Sequence, residues 1–373
     1  MEVDKLLLPL AFTAYVVLRL FLRGAWPLDV VYISALAVYK AAGGWPPILA
    51  GVYTLPYLLG VAMVARGKLA KEAGMAAAVS YTGVLLIATG VAHLQLLGFA
   101  MATLAPAVLL PTMGDRGSLE GLFRYLVISS IAVSFMAVGL ATRPDYPAFG
   151  NFFIFMAVAA ELGAAPLHLW VPDVYGRSRP AGLAALASLP KLAAGFALLY
   201  VRPEAGALAA YGLGALSMLV GNLGALTSGD LRRVLAYSTV AHAGFALFAY
   251  PLSPQVALLL IMADALGKMA LFNHLEAGSG RWAAYLLAMN QIGVPPALGF
   301  WPKLYLLLLA AYALGPHVGV YLLANIALSV PYYFRVARDL PSGVGPVAAA
   351  IAVVLAAAGA VAPLWLSHTL SLS

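Results

Sequence analysis

Apolar runs of about 17–24 residues follow one another along almost the whole chain, parted by short polar stretches. A helix needs roughly 20 apolar residues to cross the hydrocarbon of a bilayer. The pattern therefore predicts an all-α integral membrane fold with about fourteen transmembrane helices. They are expected near 6–22, 27–42, 45–65, 73–92, 94–113, 120–141, 148–169, 181–201, 205–227, 233–251, 255–275, 283–311, 313–334 and 345–367. The second is short enough for a re-entrant or tilted segment. The opening stretch MEVDKLLLPLAFTAYVVLRLFLRG reads as the first membrane helix. It is acidic as much as basic at its start and lacks a small-residue cleavage site, unlike a signal peptide.

Two of the expected spans contain internal proline: the seventh at Pro166, in ELGAAPLHLW, and the twelfth at Pro295–Pro296, in QIGVPPALGFWPK. Proline removes a backbone hydrogen bond and opens a helix. In lipid this is tolerated only where neighbours or a water-lined cavity satisfy the freed carbonyls. Five spans separate the two breaks, so the broken helices run in opposite directions. Matched breaks in inverted five-helix units mark transporters with a pathway at the bilayer midplane.

Charge supports the count. The odd-numbered connections carry Arg19, Arg23, Arg66, Lys68, Lys71, Arg116, Arg124, Arg177, Arg179, Arg232, Arg233, Arg281, Arg335 and Arg338, while the even ones and the termini hold little beyond Lys5, Arg143 and Arg202. By the positive-inside rule the odd connections are cytoplasmic and both termini lie outside. The net charge of +7 is then mostly a cytoplasmic feature. These basic residues are dispersed in short loops, which argues against nucleic acid binding. Trp26, Trp45 and Trp282 sit near span ends, as interfacial aromatics do. Gly212, Gly214, Gly221 and Gly224 are expected to let helices approach closely.

Composition narrows the chemistry. The chain is 63% hydrophobic and 9% charged, too few charges for a soluble surface at this length. It has no cysteine, which excludes disulfides, thiol catalysis and iron–sulfur ligation, so redox chemistry would belong to a partner. Scarce amides with absent cysteine fit a thermophilic host, although membrane helices deplete amides in any case. No GxxxxGK[ST], HExxH or GxSxG motif occurs, which argues against ATP as the direct energy source and against the common hydrolase sites.

Seven ionisable side chains fall within or beside the expected spans: Glu161, Lys191, His242, Asp264, Lys268, His274 and Lys303. Each costs about 2–4 kcal/mol or more in lipid, so each should face a bundle interior, a partner or water. The turn WVPDVYGRSRP makes the helices of Glu161 and Lys191 antiparallel neighbours. Low dielectric favours the neutral form of any ionisable group, which suits a proton relay; a structural ion pair is the competing reading. Asp264 and Lys268 share a face at i,i+4, as an ion pair or as relay elements. His242 lies mid-span beside Tyr237, Ser238 and Thr239, where proton exchange and a simple core hydrogen bond are both open. Lys303 follows the second break, where unwound backbone and a cation could share one cavity. His274 is expected at the interface.

The segments PLHLWVPDVY at 166–175, DLRRVLAYSTVAHAGF at 230–245 and GVPPALGFWPKLYLL at 293–307 resemble the antiporter-like subunits of respiratory complex I, most of all the subunit N type. These are related to Mrp-type cation/proton antiporter and membrane-bound hydrogenase subunits. SLEGLFRY at 118–125 is similar to a further family segment. The resemblance implies fourteen helices with two inverted five-helix repeats, organised as N-terminal helices over 1–92, a first repeat over 93–201, a second over 202–335 and a C-terminal helix over 336–373. By motif spacing it makes Lys191, Lys268 and Lys303 the family's relay lysines, and Glu120 a family acid. Two departures stand out. Glu161 occupies the place of the family's seventh-span lysine, and Ala102 lies near the place of its partner glutamate. Asp264 stands where a histidine is usual.

The resulting expectation is a proton-translocating membrane-arm subunit of a complex I-like oxidoreductase in a prokaryotic cell membrane. Its relay would run through Glu161, Lys191, His242, Lys268 and Lys303, supported by Glu120, Asp264 and His168. No cofactor or metal is expected in this chain. Quinone, iron–sulfur clusters and flavin are expected in partner subunits of the membrane and peripheral arms. An Mrp-type antiporter, a membrane-bound hydrogenase and a stand-alone secondary transporter are the alternatives. Loss of pumping in the N-terminal half is also open.

Overall fold

The computed structural model describes residues 2–21, 26–43, 53–59, 70–204 and 206–370. Much of the expected span 45–65, with Trp45, Arg23, Arg66 and Lys68, lies outside the described residues, as do the side chains of Lys5, Trp26 and Lys71. The described chain is helical and has no β-strand; an isolated bridge joins Ser279 and Ser342.

Helices α1 (Glu2–Phe21), α2 (Trp26–Ala42) and α3 (Ala70–Ile87) precede α4 (Ala92–Leu104), which tightens into 3-10 turns at Ala105–Leu109 and Pro111–Met113. Then come α5 (Arg116–Thr142), α6 (Pro147–Leu162), α7 (Trp170–Arg177), α8 (Pro180–Leu186) and α9 (Leu189–Tyr200). The second half holds α10 (Ala207–Thr227), α11 (Leu231–Ala249), α12 (Pro254–Ala277), α13 (Arg281–Ile292), α14 (Phe300–Leu314), α15 (Pro316–Asp339) and α16 (Pro346–Leu370). Among the described residues six helical segments are long and apolar enough to cross a membrane: Ala92–Met113, Arg116–Thr142, Pro180–Tyr200, Ala207–Thr227, Pro254–Ala277 and Pro316–Asp339.

Burial sorts these segments into centre and rim. Pro180–Tyr200 is enclosed throughout and Pro254–Ala277 almost throughout, whereas Arg116–Thr142, Ala207–Thr227 and Pro316–Asp339 bury only a minor stripe. Rim helices turn Val127, Ile131, Leu219, Leu223, Val320 and Leu323 outward. Such an apolar exterior over helices of this length suits lipid or neighbouring apolar helices. The central helices are the ones that carry Lys191, Asp264 and Lys268.

Small residues set the closest packing. A Cβ on Gly221 would lie 2.3 Å from the Ala241 backbone nitrogen, and one on Gly244 would lie 2.6 Å from the Gly214 carbonyl, so α10 and α11 touch backbone to backbone. Gly224 takes the Tyr237 ring in the same way. Gly212, expected to serve likewise, faces open space.

The two proline segments adopt one shared design. Helices α6 and α13 end at Gly163 (φ +73°) and Gly293 (φ +88°), left-handed conformations that favour glycine. A cis X-Pro bond follows in each, at Ala165–Pro166 and Pro295–Pro296, before helix resumes at Trp170 and Phe300. The pairs Gly163/Gly293, Pro166/Pro296, Trp170/Phe300 and Pro172/Pro302 keep one constant offset.

Candidate functional site

All seven ionisable residues singled out in the sequence are buried. Three of them gather around a fourth, Asp264. Its Oδ2 accepts from the Lys191 ammonium at 2.7 Å and its Oδ1 from the Lys268 ammonium at 3.1 Å; His242 Nδ1 lies 3.7 Å from the same Oδ1. The cluster forms because α9, α11 and α12 pack together at the centre, and Asp264 and Lys268 sit four residues apart on one face of α12. Hydroxyls complete it. Lys191 also donates to Thr239 Oγ1, and Lys268 donates to Ser238 Oγ and Tyr333 Oη. A small cavity bounded by Leu162, Lys191, Thr239, His242, Ile261 and Asp264 opens onto the cluster.

Lys303 completes the array through backbone. Its ammonium donates to the carbonyls of Gln291 and Ile292, in the last turn of α13, and stands 5.2 Å over the Phe245 ring. The break leaves those carbonyls without a following helical N–H, so they are available to a cation. His242 Nε2 meets the same Gln291 carbonyl at 3.1 Å, which joins Lys303 to the Asp264 cluster through one acceptor.

Glu161 stands apart, and the structural ion pair with Lys191, the competing reading, is not formed. From the end of α6 it faces α5, where Tyr125 Oη lies 2.7 Å from its Oε1 and Ser129 Oγ donates to its Oε2 at 3.2 Å. Lys191 faces α12 instead and is taken by Asp264. Glu120, His168 and His274 lie outside the cluster. Glu120 lies in an exposed network with Arg116 and Arg177 that extends to Asp173 and Arg124. His168 is partly buried in the first break, with its Nδ1 unpartnered among the described residues. His274 is buried, not interfacial, and its Nε2 meets the Pro341 carbonyl at 3.2 Å.

Sequence reasoning missed the tyrosines. Tyr125 closes the string SLEGLFRY, and Tyr333 sits in a Tyr–Tyr pair in α15; a hydroxyl in an otherwise apolar span was the available signal. Tyr175 was missed too. Its hydroxyl is buried without a partner among the described residues, and its ring lies between Trp170 and Phe272, within electrostatic reach of both Asp264 and Glu161. Among the described residues no three His, Cys, Asp or Glu side chains converge as a metal site requires.

Chemically, the centre of the fold offers two lysines and an imidazole around one carboxylate, interleaved with hydroxyls, and a third lysine joined to them through the Gln291 carbonyl. Such groups can exchange and pass protons.

Comparison with known proteins gives this arrangement a context. Residues 146–281 match the family described as NADH:quinone oxidoreductase/Mrp antiporter, transmembrane. The chain is 30% identical over 367 residues to NADH-quinone oxidoreductase subunit N of Halorhodospira halophila, covering 81% of this chain and 73% of that protein. It is 33% identical over 309 residues to NADH-quinone oxidoreductase subunit 14 of Thermus thermophilus, covering 71% of each. Its fold is similar to a chain of respiratory complex I from Thermus thermophilus, with a TM-score of 0.82, 24% identity and coverage of 96% and 97%. It also resembles a chain of an Mrp complex from Dietzia sp., with a TM-score of 0.79, 16% identity and coverage of 98% and 95%. The chain thus belongs to the NADH:quinone oxidoreductase/Mrp antiporter family of membrane subunits.

Proposed function

We propose that this chain is a proton-translocating membrane-arm subunit of a complex I-like oxidoreductase, the assembly named by its subunit N relatives. The observation that carries the proposal is the buried row from Lys191 through Asp264, His242 and Lys268 to Lys303, bound to the carbonyls of a helix end. Protons would pass along Glu161, Lys191, His242, Lys268 and Lys303, with Asp264 holding the cations in register. Glu120 and His168, outside that row, would act only at its margins.

Coulombic coupling supplies the mechanism. Charges about 6 Å apart interact by about 3 kcal/mol at an effective dielectric of about 20. Gain or loss of one proton in the row therefore shifts its neighbours' proton affinity by about two pH units. Redox work in partner subunits, which would carry the quinone site, iron–sulfur clusters and flavin, would enter this row as a change in charge at one end.

Fourteen spans follow if α6 with α7, α8 with α9, and α13 with α14 each count as one interrupted crossing and 53–59 belongs to another. The constant offset between the two breaks favours two inverted repeats, near 93–201 and 202–335. Both termini would lie outside a prokaryotic plasma membrane. The fold likeness to an Mrp complex chain favours a second reading, an antiporter subunit driven by ion gradients.

The test is proton pumping by the intact native complex in vesicles, with Glu161→Gln and Lys303→Ala introduced separately. Loss of pumping in each is expected, and unchanged pumping in both would refute the route. Copurification in mild detergent separates the two assemblies: iron–sulfur and quinone-site subunits support the first, small antiporter subunits the second.

A further inference from the structure

The hydrogens around Glu161 can be counted. The side chain is 1% exposed, and its two close partners, Tyr125 and Ser129, are fully buried. Tyr125 Oη lies 2.7 Å from Glu161 Oε1 and 2.8 Å from the Thr103 carbonyl oxygen. A phenol has one hydrogen to donate, and a backbone carbonyl only accepts. An ionised carboxylate also only accepts. In that state one of the two short contacts would hold no hydrogen, and lone pairs would face each other at hydrogen-bond distance.

An un-ionised Glu161 fills every contact. Its Oε1–H donates to Tyr125 Oη, the Tyr125 O–H donates to the Thr103 carbonyl, and the Ser129 O–H donates to Oε2. Pro106, three residues beyond Thr103, has no N–H to offer that carbonyl. The wider surroundings agree. Among the described residues no cationic side chain lies within ion-pair distance of Glu161. The packed elements bring it Tyr125 and Ser129 from α5 and Tyr175 from α7, while Lys191 of α9 and Lys268 of α12 are both held by Asp264, with His242 of α11 beside them. A neutral acid is also far cheaper than an ion to enclose in a low-dielectric interior.

We propose that Glu161 is a proton-holding site, an un-ionised carboxylic acid in the resting protein, with Tyr125 and Ser129 as the positioning residues that keep it so. The part this stored proton plays in transport rests on the relay reading above; the protonation state does not. Glu161 is thereby a neutral acid set apart from the ion cluster at Asp264.

Infrared difference spectroscopy on the full chain, purified with its native partners at neutral pH, tests the proposal. Wild type minus Glu161→Gln should show the C=O stretch of a protonated carboxylic acid, moved down by hydrogen–deuterium exchange. Tyr125→Phe should move that band up, because the acid loses the oxygen to which it donates. A purely structural Tyr125 would leave the band in place. Carboxylate stretches in place of the acid band would overturn the proposal, as would an unmoved band in Tyr125→Phe; the latter variant also serves if Glu161→Gln fails to fold. Pumping measured on the same preparations keeps the two ideas apart. An acid band with unchanged pumping in Glu161→Gln refutes the relay role alone, and lost pumping without an acid band refutes the stored proton alone.

Discussion

Asp264→Asn is the most informative perturbation. The substitution keeps the shape of the side chain and removes the one charge that faces Lys191, Lys268 and His242 together. Two ammonium groups on opposite oxygens of one carboxylate stand about 6 Å apart, a repulsion of about 3 kcal/mol at an effective dielectric of about 20. The carboxylate offsets that repulsion, and Asp264 is 3% exposed, so bulk water cannot take its place. Removing one member of a buried ion pair costs about 3–5 kcal/mol, mostly through the charge left behind. Asp264→Asn should therefore lower thermal stability in mild detergent by an amount of that order and uncouple electron transfer from pumping. The double variant Asp264→Asn, Lys268→Met removes a stranded cation. It should recover much of the lost stability and none of the pumping, a non-additivity expected of residues in direct contact. Stability and pumping unchanged in Asp264→Asn would refute the claim that this carboxylate holds the cluster together. Equal instability in the single and double variants would refute the electrostatic origin of the loss.

Other perturbations discriminate between parts of the structure. Gly221→Val should prevent correct packing of α10 on α11, since its Cβ would meet the Ala241 nitrogen at 2.3 Å; overpacking costs about 1–3 kcal/mol or more, readable as protease sensitivity, whereas Gly212→Ala should be silent. Asn222→Ala removes the acceptor of the Tyr332 hydroxyl and the donor to Asn325, and should cost about 1–3 kcal/mol in thermal unfolding because these groups are buried. Glu120→Ala should leave both stability and pumping near wild type, because its ion pairs are exposed to solvent; a large loss of pumping would show that Glu120 supports the relay directly.

The hydropathy pattern made the fold class legible, because length and apolarity are local properties of the chain. The breaks at Pro166 and Pro296 were legible for the same reason. Partners were not. Glu161 and Lys191 lie on successive expected spans, which left a relay and an ion pair both open, yet rotation of α6 toward α5 turns the acid to Tyr125 while α9 turns Lys191 to α12. Helix rotation depends on how neighbouring helices pack, as at Gly214, Gly221 and Gly244, and no single span encodes it. His274 illustrates the same limit. Its place near a helix end suggested an interface, but the chain around Pro341 folds over it.

The two breaks share one backbone design and close it with different chemistry. At the first, the Ala160 carbonyl accepts from the Trp170 indole at 3.2 Å, and the position matching Lys303 at the constant offset is Asp173, held at the surface by Arg124 and Arg177. At the second, Lys303 itself occupies the carbonyls of Gln291 and Ile292. A carbonyl bound by an indole is satisfied in a way that no protonation change can alter, since that N–H does not titrate in water. A carbonyl bound by an ammonium loses its strongest donor whenever that group gives up its proton. The Lys303 contact thus makes charge-linked movement of the backbone available at the second break. On the relay reading proposed above, a step that responds to charge would run between Asp264, which Lys191 of the first half also holds, and Lys303.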